Sequence, residues 1–225
     1  MKAFLAITVV VFNITAGFTQ SSVFLADKVT GNLYRVNENP DVAGSPFFLD
    51  EWVPGIIYLK DGYRAEKFKL KLDLYSNELL FLHEGKPLVV VNPVIEFVLN
   101  VPAGEQYLFR SGYFSVDDNT EATYYQVLQE GQVTLLKQSR KIIIIKNEYS
   151  QRSGVKEFTG SENYFIARPG KTPVKIKKDK ASLVAAIGDV DGKLMAWVNK
   201  NGLRCKSEED MKMVVKAHSE IVSNQ

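Results

Sequence analysis

The clearest pattern in the chain is a strict alternation of apolar and charged positions in one short segment. Phe68, Leu70, Leu72 and Leu74 alternate with three lysines and Asp73. Successive side chains of a β-strand point to opposite faces. This period of two therefore predicts a strand with one buried face and one face in water.

Turn residues divide the rest of the first 178 positions into short apolar runs. Asp61-Gly62 separates the run at 56–60 from the alternating segment, and Asp-Gly is a strong hairpin signal because both central residues of a type I′ turn need positive φ. Further runs are separated by pairs such as Glu84-Gly85, without the dozen or so residues that a parallel crossover needs. The sequence predicts a mainly β protein of the α+β class, an antiparallel meander sheet forming a sandwich or a partly open barrel.

Two segments inside this series have a different composition. Ile142–Ile145 is apolar on both faces, which predicts a strand at the centre of the sheet. Residues 37–54 are rich in Pro, Gly, Asp and Asn and predict a long loop wrapped around the sheet.

Helical spacing replaces strand spacing at about residue 179. Ser182–Ile187 and Gly192–Asn199 predict two helices, with Asp189 and Asp191 as N-caps before the second. A third helix is predicted to begin at Ser207, a capping residue followed by three acids that suit the helix dipole. Its apolar stripe comprises Met211, Val214, Val215, His218 and Val222, and we expect this face to pack on the sheet.

The first residues have the order of a secretory signal. Lys2 precedes an unbroken apolar run at 3–12, followed by small and polar residues. This run is shorter than the roughly 20 residues that a membrane-spanning helix needs. We therefore predict a signal peptide at 1–20, an antiparallel β domain at 21–178 and a helical segment at 179–225. The predicted location is periplasmic, outer-membrane-associated or extracellular.

Composition and net charge make some classes of binding partner less favourable than others. The chain is 45% hydrophobic and 24% charged with a formal net charge of +2, which argues against nucleic acid as the main partner. Cys205 is the only cysteine, so no intramolecular disulfide can form. It could pair between molecules or bind metal, but we expect a small buried hydrophobic residue.

Motifs for catalysis or cofactor binding are not evident in the sequence. A hydrolase needs a positioned histidine base, but His83 lies beside a turn and His218 on an apolar helical stripe, where surface and packing roles are commoner. The segment 188–192 lacks the ligand spacing of a calcium loop. Asp117-Asp118 could supply paired carboxylates, but adjacent acids in a polar loop are usually a solvated turn. The sequence predicts no catalytic, cofactor-binding or metal-binding residues.

A few aromatic and basic residues form a candidate interaction surface: Trp52, Tyr124, Tyr125, Lys175 and Lys177. Aromatic residues in loops can form a platform for a sugar or peptide, or can cover a sheet edge, and we favour the second role. The two lysines lie in the densest basic stretch, which could dock an anionic surface, although a solvated strand face is the simpler interpretation.

Four segments carry a resemblance to a known group: GSPFFLDEW, LKDGYRAEKFKLKLDLYSNELLF, YYQVLQEGQVTLL and KNGLRCKSEEDMKMVVKAHSEI. Together they resemble a family of exported β-rich proteins of Gram-negative bacteria, over about residues 44–221. The resemblance implies export and a β-then-α order. It supplies no catalytic residues.

Three functional hypotheses follow. The first is a non-enzymatic binding protein that contacts an envelope protein or a glycan through its sheet and loops, with peripheral membrane contact left open. The second is a carrier of an apolar ligand such as a lipid, which requires that Met211, Val214 and Val215 leave a cavity over the sheet. The third is a glycan or peptide hydrolase, which requires a cleft with at least two convergent carboxylates or a base of raised pKa.

Overall fold

A computed structural model describes residues 23–26, 28–34, 41–102, 104–146, 154–189 and 191–223. The predicted signal peptide lies outside these residues. The protein is mainly β: of the described residues, 47% lie in strands of a mostly antiparallel sheet that is not closed, and three helices accompany it. The prediction of a mainly β, antiparallel fold with a helical C-terminal segment is confirmed.

Thirteen strands make up the described part of the sheet. They are β1 (Val23–Ala26), β2 (Val29–Leu33), β3 (Val42–Ala43), β4 (Val53–Leu59), β5 (Arg64–Asp73), β6 (Glu78–His83), β7 (Lys86–Val90), β8 (Val94–Asn100), β9 (Gln106–Arg110), β10 (Tyr125–Gln129), β11 (Thr134–Lys146), β12 (Val155–Ala167) and β13 (Val174–Ile176). Twelve follow the order β1-β2-β7-β6-β5-β4-β8-β9-β10-β11-β12-β13, and β3 pairs with β12 in parallel.

The β4–β5 hairpin shows how local sequence sets the register. Gly62 has φ +87°, and the Asp61 carboxylate accepts a hydrogen bond from the Tyr63 amide at 3.0 Å. Leu70 and Leu72 are buried, as the alternation predicts. Their face joins an N-terminal core cluster whose buried members are Ala26, Val29, Val53, Ile57, Leu59, Ala65, Leu70, Leu72, Leu79, Phe81, Leu88, Val94, Phe97, Leu99 and Phe109.

The opposite face of β5 is covered where we expected water. Lys71 is 8% exposed and Asp73 1% exposed, so the prediction of a wet face is wrong for the last part of this strand. The cause is the segment 44–52, which lies over it: the Phe48 amide donates to the Leu72 carbonyl at 2.9 Å, and the Leu74 amide donates to the Pro46 carbonyl at 2.9 Å. A wrapped loop is thus present in the described part of 37–54.

Three helices pack on the C-terminal strands. They are α1 (Lys180–Ile187), α2 (Lys193–Lys200) and α3 (Glu208–Ser223). Met211, Val214 and Val215 of α3 are fully buried in a second core cluster that also contains strand residues such as Leu135. Cys205 is buried and free in the same cluster, which confirms its expected role as a buried hydrophobic residue.

The helix starts follow the predicted capping chemistry in part. Ser207 Oγ accepts from the Asp210 amide at 3.1 Å, as expected for a cap of α3. The Asp189 carboxylate accepts from the Leu194 amide at 3.2 Å and the Met195 amide at 2.9 Å, so it satisfies the first turn of α2. The N-cap position itself is held by Gly192, which is neither of the two residues predicted.

The isoleucine run does not lie at the centre of a buried sheet, so that prediction is wrong. Ile142 is 48% exposed and Ile145 64% exposed. The physical reason is strand length: β11 has 13 residues, whereas β10 has 5 and pairs with it only as far as Lys137. Beyond that point β11 and β12 continue as a ribbon, and the short strand β3 pairs with β12 at Lys156 and Glu157.

Candidate functional site

The five residues of the predicted interaction surface are not brought together. Tyr125 is 1% exposed and packs edge-to-face against Tyr113 and Phe165, each at 5.5 Å between ring centroids. Tyr124 points to the other face and meets the Phe97 ring edge-to-face at 5.1 Å. Burial raises the pKa of both tyrosines to about 12. Both rings therefore serve packing, on opposite sides of the sheet.

Trp52 belongs to the loop that covers β5. The Lys71 ammonium lies 5.2 Å from the Trp52 ring centroid and 4.5 Å from that of Phe47, and it donates to the Asp50 carbonyl at 2.5 Å. Desolvation lowers the pKa of Lys71. The two aromatic rings and the carbonyl replace part of the lost hydration of this cation. Trp52 thus covers a side chain on one face of β5, whereas the sequence favoured the covering of a sheet edge.

The two lysines near β13 are exposed, but Lys175 is not a free charge. Its ammonium pairs with Asp117 at 3.0 Å, and both side chains are about half exposed. Lys177 follows β13, and its backbone amide donates to Ser182 Oγ at 2.9 Å. This part of the surface is a solvated strand end beside the start of α1.

The most unusual surface is the ribbon at the ends of β11 and β12. We call it the arm and define it as residues 141–146 of β11 with 155–160 of β12. Ile142 and Ile145 are its exposed apolar residues. On the opposing strand, Phe158 meets the Tyr75 ring edge-to-face at 5.6 Å. The arm thus presents apolar side chains on a narrow extension of the sheet that no helix covers among the described residues.

The base of the arm is attached to the β5–β6 turn. The Lys141 amide donates to the Leu74 carbonyl at 3.1 Å. In the same turn, the Asn77 side chain donates to the Ala122 carbonyl at 3.0 Å and accepts from the Tyr124 amide at 3.1 Å. These bonds bring together three segments that are distant in sequence, and they preform the surface around them.

Two depressions flank this attachment. The larger has a volume of about 590 Å³ and the smaller about 350 Å³. The larger is lined by residues 74–77, Asp118, Thr120, Thr123 and 138–142, and the smaller by Phe47, Phe48, Leu74, 139–141 and 160–162. Arg140 and Lys141 line both. Hydroxyl, amide and charged groups converge here beside the exposed Tyr75 and Ile142, an arrangement able to orient a polar ligand.

A charged network joins α3 to the strands below the arm. The Lys137 ammonium lies 2.8 Å from the Glu208 carboxylate and 2.9 Å from that of Glu162, and the Tyr164 hydroxyl donates to Glu208 at 2.8 Å. Burial alone would raise the pKa of Glu208, but the hydrogen bonds from Lys137 and Tyr164 outweigh it and lower the pKa. This network holds α3 in place.

The two histidines lie in different surroundings. His218 borders a small pocket of about 110 Å³ beside Asp189 and Asp191, and its Nδ1 is buried without a hydrogen-bond partner among the described residues. Burial, followed by the charge of Arg168, lowers its pKa. His83 ends β6. Within the described ranges, no group of three or more His, Cys, Asp or Glu residues could hold a metal ion.

Comparison with protein-family models, curated proteins and solved structures finds no match to this chain. The resemblance to exported β-rich proteins therefore stays a prediction. In the part of the chain that the structure describes, no helix combines the length and apolar character needed to cross a membrane.

The arm and its base were missed in the sequence, although one signal was present. QSRKIIIIK continues a strand without a turn residue, so its 13-residue strand outruns the five residues of β10. Such a mismatch predicts a projecting segment. No comparable sequence pattern indicates the role of Tyr75 and Arg140, because only the tertiary fold brings them to the same depression.

Proposed function

We propose that this protein is a non-enzymatic binding protein that holds another macromolecule at the arm and the depressions at its base. The observation that carries this proposal is the exposure of Ile142 and Ile145 on the regular β11–β12 ladder of the arm. Ile142 and Ile145 are three positions apart on the strand, so each face of the arm exposes one apolar side chain. Exposed apolar surface rimmed by polar groups marks interaction sites in soluble proteins. Here Arg140 and Lys141 supply the polar rim on β11.

The chemistry of the depressions favours a polar partner. Ser76, Thr120 and Ser139 offer hydroxyl groups, and Asp118 and Arg140 offer opposite charges. An envelope protein or a glycan presents groups that match such a lining. We further propose export to the periplasm, the outer membrane or the exterior, supported by the charge-then-apolar order of the first residues.

The alternatives gain less support. The carrier hypothesis requires a cavity beneath α3, but Met211, Val214 and Val215 are fully buried in the core there. The hydrolase hypothesis requires convergent carboxylates, but Asp117 is paired with Lys175. We therefore place the binding function first.

The test is site-specific photo-crosslinking in cells of the source organism. The full chain carries a benzophenone amino acid at position 142, and a matched control carries it at position 174, where Val174 is 46% exposed on β13. We expect a discrete adduct from position 142 and none from position 174. Mass spectrometry of the purified adduct distinguishes the two partners, because a protein partner contributes peptides of its own and a glycan contributes a sugar mass on the peptide around position 142. Absence of any adduct at position 142 would contradict the proposal.

A further inference from the structure

Beyond Lys141, one edge of the arm has no backbone partner among the described residues. The Lys141 amide donates to the Leu74 carbonyl, which lies away from β12. Lys141 and its partner Gly160 are therefore a non-hydrogen-bonded pair of the β11–β12 ladder. Such pairs alternate with hydrogen-bonded pairs along an antiparallel ladder.

The alternation continues to the end of β11, because its pairing with β12 has no register shift over all 13 residues. Ile142 and Ile144 therefore bond to β12. The N–H and C=O groups of Ile143 and Ile145 point to the outer edge. Within the described ranges, no backbone group meets them there.

The other edge of the arm differs. Val42 and Ala43 of β3 pair with Lys156 and Glu157 of β12. Natural proteins protect exposed strand edges with proline, bulges, charges or covering segments. The outer edge at Ile143–Ile145 has β-branched residues, no proline and no bulge. It is a regular template for one more strand.

We propose that the outer edge of β11 at Ile143–Ile145 takes up an extended acidic segment of a partner polypeptide by strand addition. This inference rests on the proposed function and deepens it by naming the class of partner. Main-chain hydrogen bonds provide affinity in this mode, and alternate side chains provide specificity.

Charge selects the partner. Lys141 precedes the isoleucines on β11, and Lys156 lies opposite Ile145 on β12. Neither forms an ion pair with another described residue, whereas Lys146 pairs with Glu157. Arg140 adds a further positive charge at the base. A second copy of this chain would bring the same basic residues together, and like charges across strands are destabilising. A partner segment with an apolar β-branched centre and acidic ends matches this site. Its backbone pairs with the outer edge of β11, and its acidic side chains pair with the basic residues around it.

The experiment uses the full chain, labelled with ¹⁵N, and a capped synthetic peptide of sequence Glu-Asp-Val-Thr-Val-Thr-Val-Asp-Glu. Amide exchange is followed by NMR with and without this peptide. We expect exchange at Ile143 and Ile145 to slow by at least tenfold on binding, and exchange at Ile142 and Ile144 to change little. A peptide with lysine in place of each acid should not bind.

A pair of variants separates the backbone from the side chain. Ile145→Ala keeps the outward amide, whereas Ile145→Pro removes it at a position where an edge strand tolerates proline. We expect Ile145→Pro to bind the acidic peptide at least tenfold more weakly than Ile145→Ala. Should Ile145→Pro fail to fold, the amide protection in the unaltered chain still decides.

Other outcomes overturn the inference. Equal affinity of Ile145→Ala and Ile145→Pro for the acidic peptide would show that the peptide does not bind by strand addition. Protection of Ile143 and Ile145 that rises with protein concentration alone would identify a second copy as the occupant. An adduct at position 142 without protection by the acidic peptide would leave the proposed function standing and reject strand addition. Absence of both would reject the two together.

Discussion

Gly55 in the middle of β4 provides a test of how tightly the N-terminal core is packed. A Cβ atom at this position would lie 2.5 Å from the Val98 carbonyl oxygen and would also overlap the Leu70 side chain. Carbon atoms of different residues pack best at about 3.5–4.0 Å. The Val98 contact involves backbone of β8, the strand that pairs with β4, so a rotamer change cannot relieve it.

Gly160 in β12 is the matched control. A Cβ there would meet no atom closer than 3.9 Å, and its φ is not in the left-handed region. Both Gly→Ala changes reduce the entropy of the unfolded chain, by about 0.4–1 kcal/mol in compatible sites. This contribution cancels between the two variants. Their difference is the cost of overpacking, about 1–3 kcal/mol.

The assay is urea unfolding of Gly55→Ala, Gly160→Ala and the unaltered protein. Trp52 reports on the loop over β5, and Trp197 reports on the helical cluster. We expect Gly55→Ala to lower the free energy of unfolding by about 1–3 kcal/mol relative to Gly160→Ala. For a chain of this size the melting temperatures should differ by about 2–4 °C per kcal/mol.

The reasoning would be refuted if the two alanine variants had free energies of unfolding within about 0.5 kcal/mol of each other, since that is the usual range for surface changes without a special contact. It would also be refuted if Gly160→Ala were the less stable variant. Equal denaturant slopes for all three proteins are the control, because they show that the same surface is exposed on unfolding.

Three further predictions concern single side chains. Folding lowers the Glu208 pKa from an ordinary 4.5, so the stabilising contribution of its carboxylate is present above pH 4.5 and is lost as the pH falls through the lowered pKa. In a pH series of urea titrations, the unaltered protein should lose stability more steeply in acid than Glu208→Gln. Parallel curves for the two proteins would contradict this prediction. Cys205 is buried and its thiol pKa is raised to about 11, so a thiol reagent at pH 8 should react with it only after unfolding. Fast reaction of the native protein would contradict the burial of this thiol. Met211→Ala removes a fully buried side chain and should lower the free energy of unfolding, measured by calorimetry, by about 2–5 kcal/mol. Met213 is exposed, so Met213→Ala is the control and should change stability little. Equal losses for the two variants would contradict the prediction.

Sequence patterns predicted the local features of this fold well. The alternation around Leu70 and Leu72, the turn at Gly62 and the cap at Ser207 depend on residues close together in the chain. Periodicity, positive φ and capping are local physical effects, so they are visible in sequence.

The predictions that were wrong depend on distant contacts. Lys71 and Asp73 belong to an amphipathic strand, and only the packing of residues 44–52 buries them. Ile142–Ile145 has the composition of a central strand, but burial requires a neighbour, and β10 ends before reaching it. The composition of a strand shows which side chains could be buried, and the length of the neighbouring strand determines which of them are buried.

The candidate site was not predictable as a whole. Its lining comes from the β5–β6 turn, the loop before β10 and the middle of β11, which the Asn77 and Lys141 hydrogen bonds join. The sequence contained the isoleucines and their flanking lysines, but not the open edge. That edge follows from the ladder alternation, which a single sequence does not contain.

The two main core clusters have a consequence for the order in which the chain acquires structure. The buried members of the N-terminal cluster run from Ala26 to Phe109, and those of the cluster under the helices begin only at Val133. As the polypeptide emerges from its N-terminus, the first core therefore has all its buried residues before the second core has any. β9 and β10, joined through Tyr125 with Arg110 and Gln126 with Phe109, then connect a part formed early to a part formed late. The arm belongs to the later part, so the proposed binding edge is formed only after the N-terminal core has been synthesised.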